Sequence, residues 1–311
     1  MFREKSVILR GPETPRDFTE VLTLRNFEFF EPTTIEEASS LIAQYNGKAQ
    51  LLAGGTDLII AMKDRVMTPE YVISLEKIPG LDGITYDEAR GLSIGAMTKM
   101  RTLEQDPIVR DRYTALAEGA GEIGGIHIRN LATIGGNISH GSPAADTAAP
   151  LLAFGATVKI ASADGERAVP IEEFFLGPGQ TVLKTGEIVT AFECPPHGAN
   201  TGSQYIKQKI REVMDLAFVG VAATVKLENG TVDAKIALAA VAPTPIRATE
   251  AEAIINAYYP VTNDVLEQAA AAAAAQSRPI SDLRCSAEYR REMVGVLAKR
   301  TIQTAVNRAQ S

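Results

Sequence analysis

The chain has 311 residues, 45% of them apolar, and 31 Lys and Arg against 38 Asp and Glu give a net charge of −7. That length buries a sizeable core, and the acidic balance leaves no basic excess to neutralise nucleic-acid phosphates. Two cysteines (Cys194, Cys285) and three scattered histidines (His127, His140, His197) exclude a disulfide framework and a four-thiolate iron–sulfur cluster, so redox work here needs an organic cofactor.

Residues 1–10 are charged and lack the apolar segment of a signal peptide, and the run 269–275 is too short to span a bilayer. A cytoplasmic chain without a membrane span is expected. The first 24 residues read as a polar extension broken by Gly11-Pro12 and Pro15. A helix then starts at Thr34, an N-cap with Glu37 as its capping-box partner, and Ile35, Ala38, Leu41, Ile42 and Tyr45 form its apolar face. Strands are expected at 50–53, 71–75 and 91–96, a helix or turn at 58–65, and a small-residue helix at 114–122. The stretch 124–150, rich in Gly, Asn, Ser, Pro and Ala, is too apolar for a disordered linker and reads as a loop wrapped around something. Further strands are expected at 158–160 and 187–193, and Pro195-Pro196 marks a boundary. Beyond it, 217–227 and 231–241 flank Asn229-Gly230, a strong hairpin signal. Helices at 249–257, 262–275 and 286–308 finish the chain.

Two glycine pairs carry the chemistry. Gly54-Gly55 follows the strand at 50–53, where consecutive N–H groups can converge on a phosphate and Thr56 adds a hydroxyl. A plain tight turn is the alternative. Gly135-Gly136 follows Thr133, with Asn137 and Ser142 as neutral hydrogen bonders and Asp146 as an acceptor for sugar hydroxyls; a glycine-rich loop stabilised by Asn and Asp turns is the alternative. Neither is a Gly-x-Gly-x-x-Gly fingerprint or a Walker loop. One long ligand touching both is the economical account, and FAD is long enough.

At these loops the sequence resembles the FAD-binding medium subunits of the molybdenum hydroxylases, the xanthine dehydrogenase and carbon monoxide dehydrogenase family. The resemblance rests on Ala53-Gly54-Gly55-Thr56-Asp57, then Thr133-Ile134-Gly135-Gly136-Asn137, then Pro143-Ala144-Ala145-Asp146. It continues through 173–181, Gly186-Glu187-Ile188, Lys207, Arg211 and 215–222, and so covers nearly the whole chain from residue 26. It implies an α+β fold of the cresol methylhydroxylase and vanillyl-alcohol oxidase type. Two subdomains, about 26–78 and 79–199, would clamp FAD, and a C-terminal domain at 200–311 would carry an antiparallel sheet and a helical bundle. Residues 1–25 have no counterpart.

The resemblance also implies roles. Leu52, Ala53, Gly54, Gly55, Thr56, Asp57 and Leu58 would lie at the cofactor, its pyrophosphate on the N–H groups of 53–57. Thr133, Gly136 and Asn137 would hold phosphate and ribityl oxygens, with Ser142 beside them, and Asp146 would take a ribityl or ribose hydroxyl. Ile123, Ile188 and Val189 would pack near the ring systems, and Lys207 near the flavin's polar edge. Ile188 equally suits a plain core position, and Lys207 and Asp215 equally suit a structural ion pair. His127 stands where the family often has Gln.

No catalytic residue and no metal ligand is expected on this chain. The implied partners are a small subunit with two 2Fe-2S clusters and a large molybdopterin subunit, in a dimer of heterotrimers. Electrons would pass through FAD to NAD or another acceptor. The competing readings are a stand-alone flavin reductase of the same fold, for which no acid near the flavin is evident, and a non-catalytic FAD-stabilised scaffold.

Overall fold

The computed structural model describes residues 24–311, so nearly all of the expected N-terminal extension lies outside the described residues. The first unit comprises β1 (Glu28–Phe30), α1 (Ile35–Gln44), β2 (Ala49–Leu52), α2 (Leu58–Lys63) and β3 (Tyr71–Ser74). Its strands are parallel in the order β1-β3-β2. Thr34 Oγ1 accepts the Glu37 N–H at 3.1 Å, and Glu37 Oε2 accepts the N–H of Thr33 at 2.9 Å, so two amides at the start of α1 are satisfied. Ile35, Leu41, Ile42 and Tyr45 of the expected face pack around Ala38, Ile73 and Leu75. Phe30, Tyr45 and Tyr71 stack in series, the two tyrosine rings 3.8 Å apart.

The second unit opens with β4 (Ile84–Asp87), β5 (Gly91–Gly95), α3 (Met100–Gln105), α4 (Pro107–Arg112) and α5 (Thr114–Gly121). It continues with α6 (Ile126–Arg129), α7 (Ile134–Ser139), α8 (Ala148–Phe154), β6 (Thr157–Ser162), β7 (Gly165–Pro170) and α9 (Ile171–Phe174). The short hairpin β8 (Phe175–Gly177) and β9 (Gln180–Thr181) leads to β10 (Ile188–Cys194). The sheet order is β4-β5-β10-β6-β7, and every pairing is antiparallel. Ile94, Leu116, Phe154, Phe174 and Phe192 meet in its core.

Here the structure corrects the expected loop at 124–150, which contains three helices. Thr133 caps α7 by accepting the Gly136 N–H, and every residue of α8 is buried, leaving no polar face to give a helical period. The unexpected α4 has its own signals: Asp106 accepts the N–H groups of Ile108 and Val109, and Pro107 occupies the first turn.

The last unit is a sheet of β11 (Thr201–Gln208), β12 (Val219–Glu228), β13 (Thr231–Ala239) and β14 (Ile246–Arg247), covered by α10 (Thr249–Asn256), α11 (Asn263–Gln276) and α12 (Ala287–Gln310). The hairpin turns at Asn229 and Gly230, both at positive φ (50° and 77°). The three helices stand within two residues of their expected limits, while β11 was unexpected. Val294, Leu297, Ile302 and Ala305 form the stripe by which α12 seals the sheet. No helix among the described residues is long and apolar enough to cross a membrane.

His197 lies where the second unit hands over to this sheet. Its ring meets Tyr113 and Phe154 edge-on, each at 5.0 Å, and its Nε2 is buried without a partner among the described residues. Burial, helped by Lys235 and Lys226, lowers its pKa to about 4 from 6.5. The unfolded chain therefore binds the proton more readily between those values. Stability is full above pH 6.5 and falls as pH drops towards 4, by on the order of 3 kcal/mol from this group. As pH falls through that window, the urea midpoint of wild type should drop relative to that of His197→Phe. A gap that stays constant would contradict this assignment.

Candidate functional site

The first glycine loop leaves the carboxyl end of β2, the end where open sheets with parallel strands receive ligands. Ala53, Gly54, Gly55 and Thr56 are half-buried, as are the flanking Leu52 and Leu58, while Asp57 is exposed. Leu52 O accepts the Leu75 N–H at 3.0 Å, and there the ladder stops. Among the described residues, the N–H groups of Gly54, Gly55, Thr56 and Asp57 find no acceptor, and neither does the Thr56 hydroxyl. Asp57 makes no side-chain cap on α2. Gly55 has φ +71°, a conformation that L side chains rarely adopt, and a Cβ there would lie 3.1 Å from Leu52 and 3.2 Å from Ile59. Four consecutive amides thus have no acceptor among the described residues, and consecutive unpaired amides at a glycine turn are what an anion cradle needs.

The second loop lies directly against the first. A Cβ on Gly54 would sit 2.1 Å from the Leu131 carbonyl oxygen, and one on Gly136 would lie 3.9 Å from Ala53 Cβ. The amides of this loop are already engaged. Ile134 donates to Thr98 O, Gly135 to Ala96 O, Gly136 to Thr133 Oγ1 and Asn137 to Thr133 O, at 2.8 to 3.1 Å. Its paired glycines therefore serve close packing instead of a second amide nest. What remains towards a ligand is the hydroxyl proton of Thr133 and the Nδ2 of half-buried Asn137, whose Oδ1 accepts from Thr147 Oγ1 at 2.6 Å. Thr147 is a residue that the sequence reading missed. Ser142 Oγ accepts the Ala144 N–H at 3.3 Å.

Asp146 faces the C-terminal sheet. Its Oδ1 accepts the Tyr205 hydroxyl and its Oδ2 the Lys207 ammonium, both at 2.8 Å, and Lys207 also donates to Glu122 O at 3.1 Å. Burial pushes the Asp146 carboxyl up to about 6, against the pull of Lys207 and Tyr205. Lys207 is therefore paired with Asp146, and the Lys207–Asp215 pair suggested by the sequence does not form. Asp215 instead accepts the N–H groups of Ile210 and Arg211 at 2.8 Å and of Leu216 at 3.0 Å, which hold its carboxyl below the usual range. The turn so fixed displays Ile210, Val213, Met214 and Leu216, and Met214 reaches the neighbourhood of Gly125. His127 is exposed beside that glycine.

The apolar candidates stand apart. Ile188 (2% exposed) packs in the core of the first unit, and Val189 (5%) in that of the second. Such burial accords with the core position also open to Ile188. Ile123 is half-buried against the second core, and its carbonyl accepts from Arg129. Among the described residues, no group of three or more His, Cys, Asp or Glu could hold a metal ion.

Residues 25–197 match the family described as the FAD-binding domain in molybdopterin dehydrogenase, and residues 204–305 match the CO dehydrogenase flavoprotein C-terminal domain. The xanthine dehydrogenase FAD-binding subunit of Escherichia coli O157:H7 is 36% identical over 89% of this chain and 95% of its own. The carbon monoxide dehydrogenase medium chain of Hydrogenophaga pseudoflava is 37% identical over 90% and 96%. Among solved structures, carbon monoxide dehydrogenase from Hydrogenophaga pseudoflava superposes with a TM-score of 0.87 at 38% identity, over 92% of this chain and 99% of that one. Quinoline 2-oxidoreductase from Pseudomonas putida 86 gives 0.85 at 26% identity, over 93% and 100%.

Gly55→Val should bind FAD far more weakly than wild type and lose ~1–3 kcal/mol of stability, because it forces a branched residue to positive φ beside the unpaired amides. Gly54→Ala should be worse for stability, since its methyl group meets backbone. Flavin absorbance after gel filtration and thermal unfolding read both. Wild-type flavin content in Gly55→Val would remove this loop from the site.

Proposed function

The chain belongs to the FAD-binding medium subunits of the xanthine dehydrogenase and carbon monoxide dehydrogenase family, and on that premise we propose that it relays electrons within a molybdenum hydroxylase complex. In this reading electrons arrive from 2Fe-2S clusters of a small subunit, having left the organic substrate at a molybdopterin-bearing large subunit, and depart to NAD or another acceptor. The subunits assemble in the cytoplasm as a dimer of heterotrimers. The chain divides at 26–78, 79–199 and 200–311, with FAD between the first two parts.

The observation that carries the reading is the row of unpaired N–H groups at 54–57, packed against the second glycine loop. The residues present suit a dinucleotide: neutral donors for a pyrophosphate, and no lysine or arginine in the loop itself. Gly54, Gly55, Thr56 and Asp57 would bind the pyrophosphate, and Thr133 and Asn137 would donate to phosphate or ribityl oxygens. Asp146 and Lys207 would meet the ribityl chain and the flavin's polar edge with the lone pair and the proton that their mutual bonds leave over. Bound FAD supplies what no side chain here can, acceptance of single electrons and delivery of a pair. The protein's own part is to hold and orient it, and no group on this chain needs to act on the organic substrate.

The purified chain should therefore carry FAD non-covalently, because neither glycine loop offers a Cys or His for attachment. Acid precipitation should release the yellow chromophore into the supernatant. Alone, the chain should not oxidise N-heterocycles, aldehydes or aromatic acyl-CoA esters. A tag on it should retrieve iron- and molybdenum-containing partners that restore turnover. A monomer that turns over such substrates without either metal would overturn the proposal.

A further inference from the structure

Asn137 carries a side-chain amide next to the junction of the two glycine loops, and its two ends are treated differently. Oδ1 points inward and receives the Thr147 hydroxyl at 2.6 Å, while Nδ2 donates to nothing among the described residues. Thr147 is fully buried (0% exposed) and opens α8, all of whose residues are buried, so its hydroxyl cannot turn to solvent. That hydroxyl makes no other hydrogen bond among the described residues. Were the amide flipped, Nδ2 would meet Thr147 Oγ1 and the hydroxyl proton would be stranded in the core, at the cost of an unmade hydrogen bond. One orientation is therefore selected, with the donor end outward.

We infer that Thr147 is a positioning residue: it locks Asn137 as a pure donor, so that the ligand atom opposite must be an acceptor such as a phosphate or carbonyl oxygen. This rests on the reading of the loops as an FAD site. Thr147 acts only through Asn137 and touches no ligand itself. Its neighbour Asp146 is engaged separately, by Tyr205 and Lys207.

The test is titration of the full-length, flavin-free chain with FAD, read by flavin fluorescence, with the thermal midpoint of each flavin-free variant as control. Thr147→Val keeps the shape and removes the proton, and should weaken FAD binding about tenfold, while Thr147→Ser should restore it to within about twofold. In an Asn137→Ala background, Thr147→Val should cost no further affinity, because the group it orients is gone. Asn137→Asp still accepts from Thr147 yet offers no donor, and should lose at least as much as Asn137→Ala without depending on how Thr147→Val folds. Wild-type affinity in Thr147→Val or in Asn137→Asp would overturn the inference, as would an equal loss from Thr147→Val with and without Asn137. Failure of the wild-type chain to bind FAD would remove the proposed function as well.

Discussion

An alanine methyl at position 54 would lie 2.1 Å from the carbonyl oxygen of Leu131 and 3.0 Å from Ala132 Cα, inside any permitted contact. At this point the first unit meets the second backbone to backbone, with no side chain between them. The same device recurs where Gly135 presses on Ala96, 2.6 Å from a would-be Cβ to its carbonyl oxygen. Interiors packed at crystal-like density transmit such constraints, because nothing soft separates the surfaces. The unpaired amides at 54–57 and the start of α7 are thereby held next to each other.

A second seam joins the second unit to the C-terminal sheet, and beside its apolar contacts through Ala222, Ala237 and Ala239 it carries a polar cluster. Lys207 and Asp146 keep only 2% and 9% of their side-chain surface, and Tyr205 completes the cluster. Beside it Glu118 accepts the Tyr205 N–H at 2.7 Å and pairs with Arg308 of the last helix at 2.8 Å. Burying an ion pair gains little over apolar packing, but removing one member strands the other charge. The arrangement therefore fixes where the sheet sits more than it adds to stability. Asp146 and His197 answer acid in opposite senses. Burial raises the carboxyl to about 6, so its folded form gains protons as pH falls, whereas the imidazole's folded form resists them. Between about pH 4 and 6 the two slopes oppose each other.

Local signals in the sequence were readable where they were self-contained. Thr34 with Glu37, Asn229-Gly230 and the three late helices each needed only their neighbours, and the order of the glycine motifs carried the family and with it the fold. What escaped was set by distant contacts. Thr201-Gly202-Ser203 carries no strand signal, yet it begins β11, against which α12 presses so close that a Cβ on Gly202 would lie 2.2 Å from Ala305 O. The helix α8 is buried all round, so no period betrays it. Lys207 and Asp215 are close in sequence, but the lysine's partner is Asp146, 61 residues away. Of the candidate site, the sequence drew attention to the two glycine loops. It could not say that the second loop had already used its amides, nor that Thr147 would hold Asn137.

The order of strands also sets when the molecule can be finished. In the five-stranded sheet β5 lies next to β10, with Gly95 facing Ala191 and Leu92 facing Cys194, so its middle is missing until the chain has been made past that point. The contact between Arg308 and Glu118 spans 190 residues and needs the last turn of the last helix. Contacts of such separation carry their loop-closure entropy before they return any stability, and they come late in folding. The seam at Glu118 therefore stays open, with its carboxylate unpaired by Arg308, until synthesis has passed residue 308.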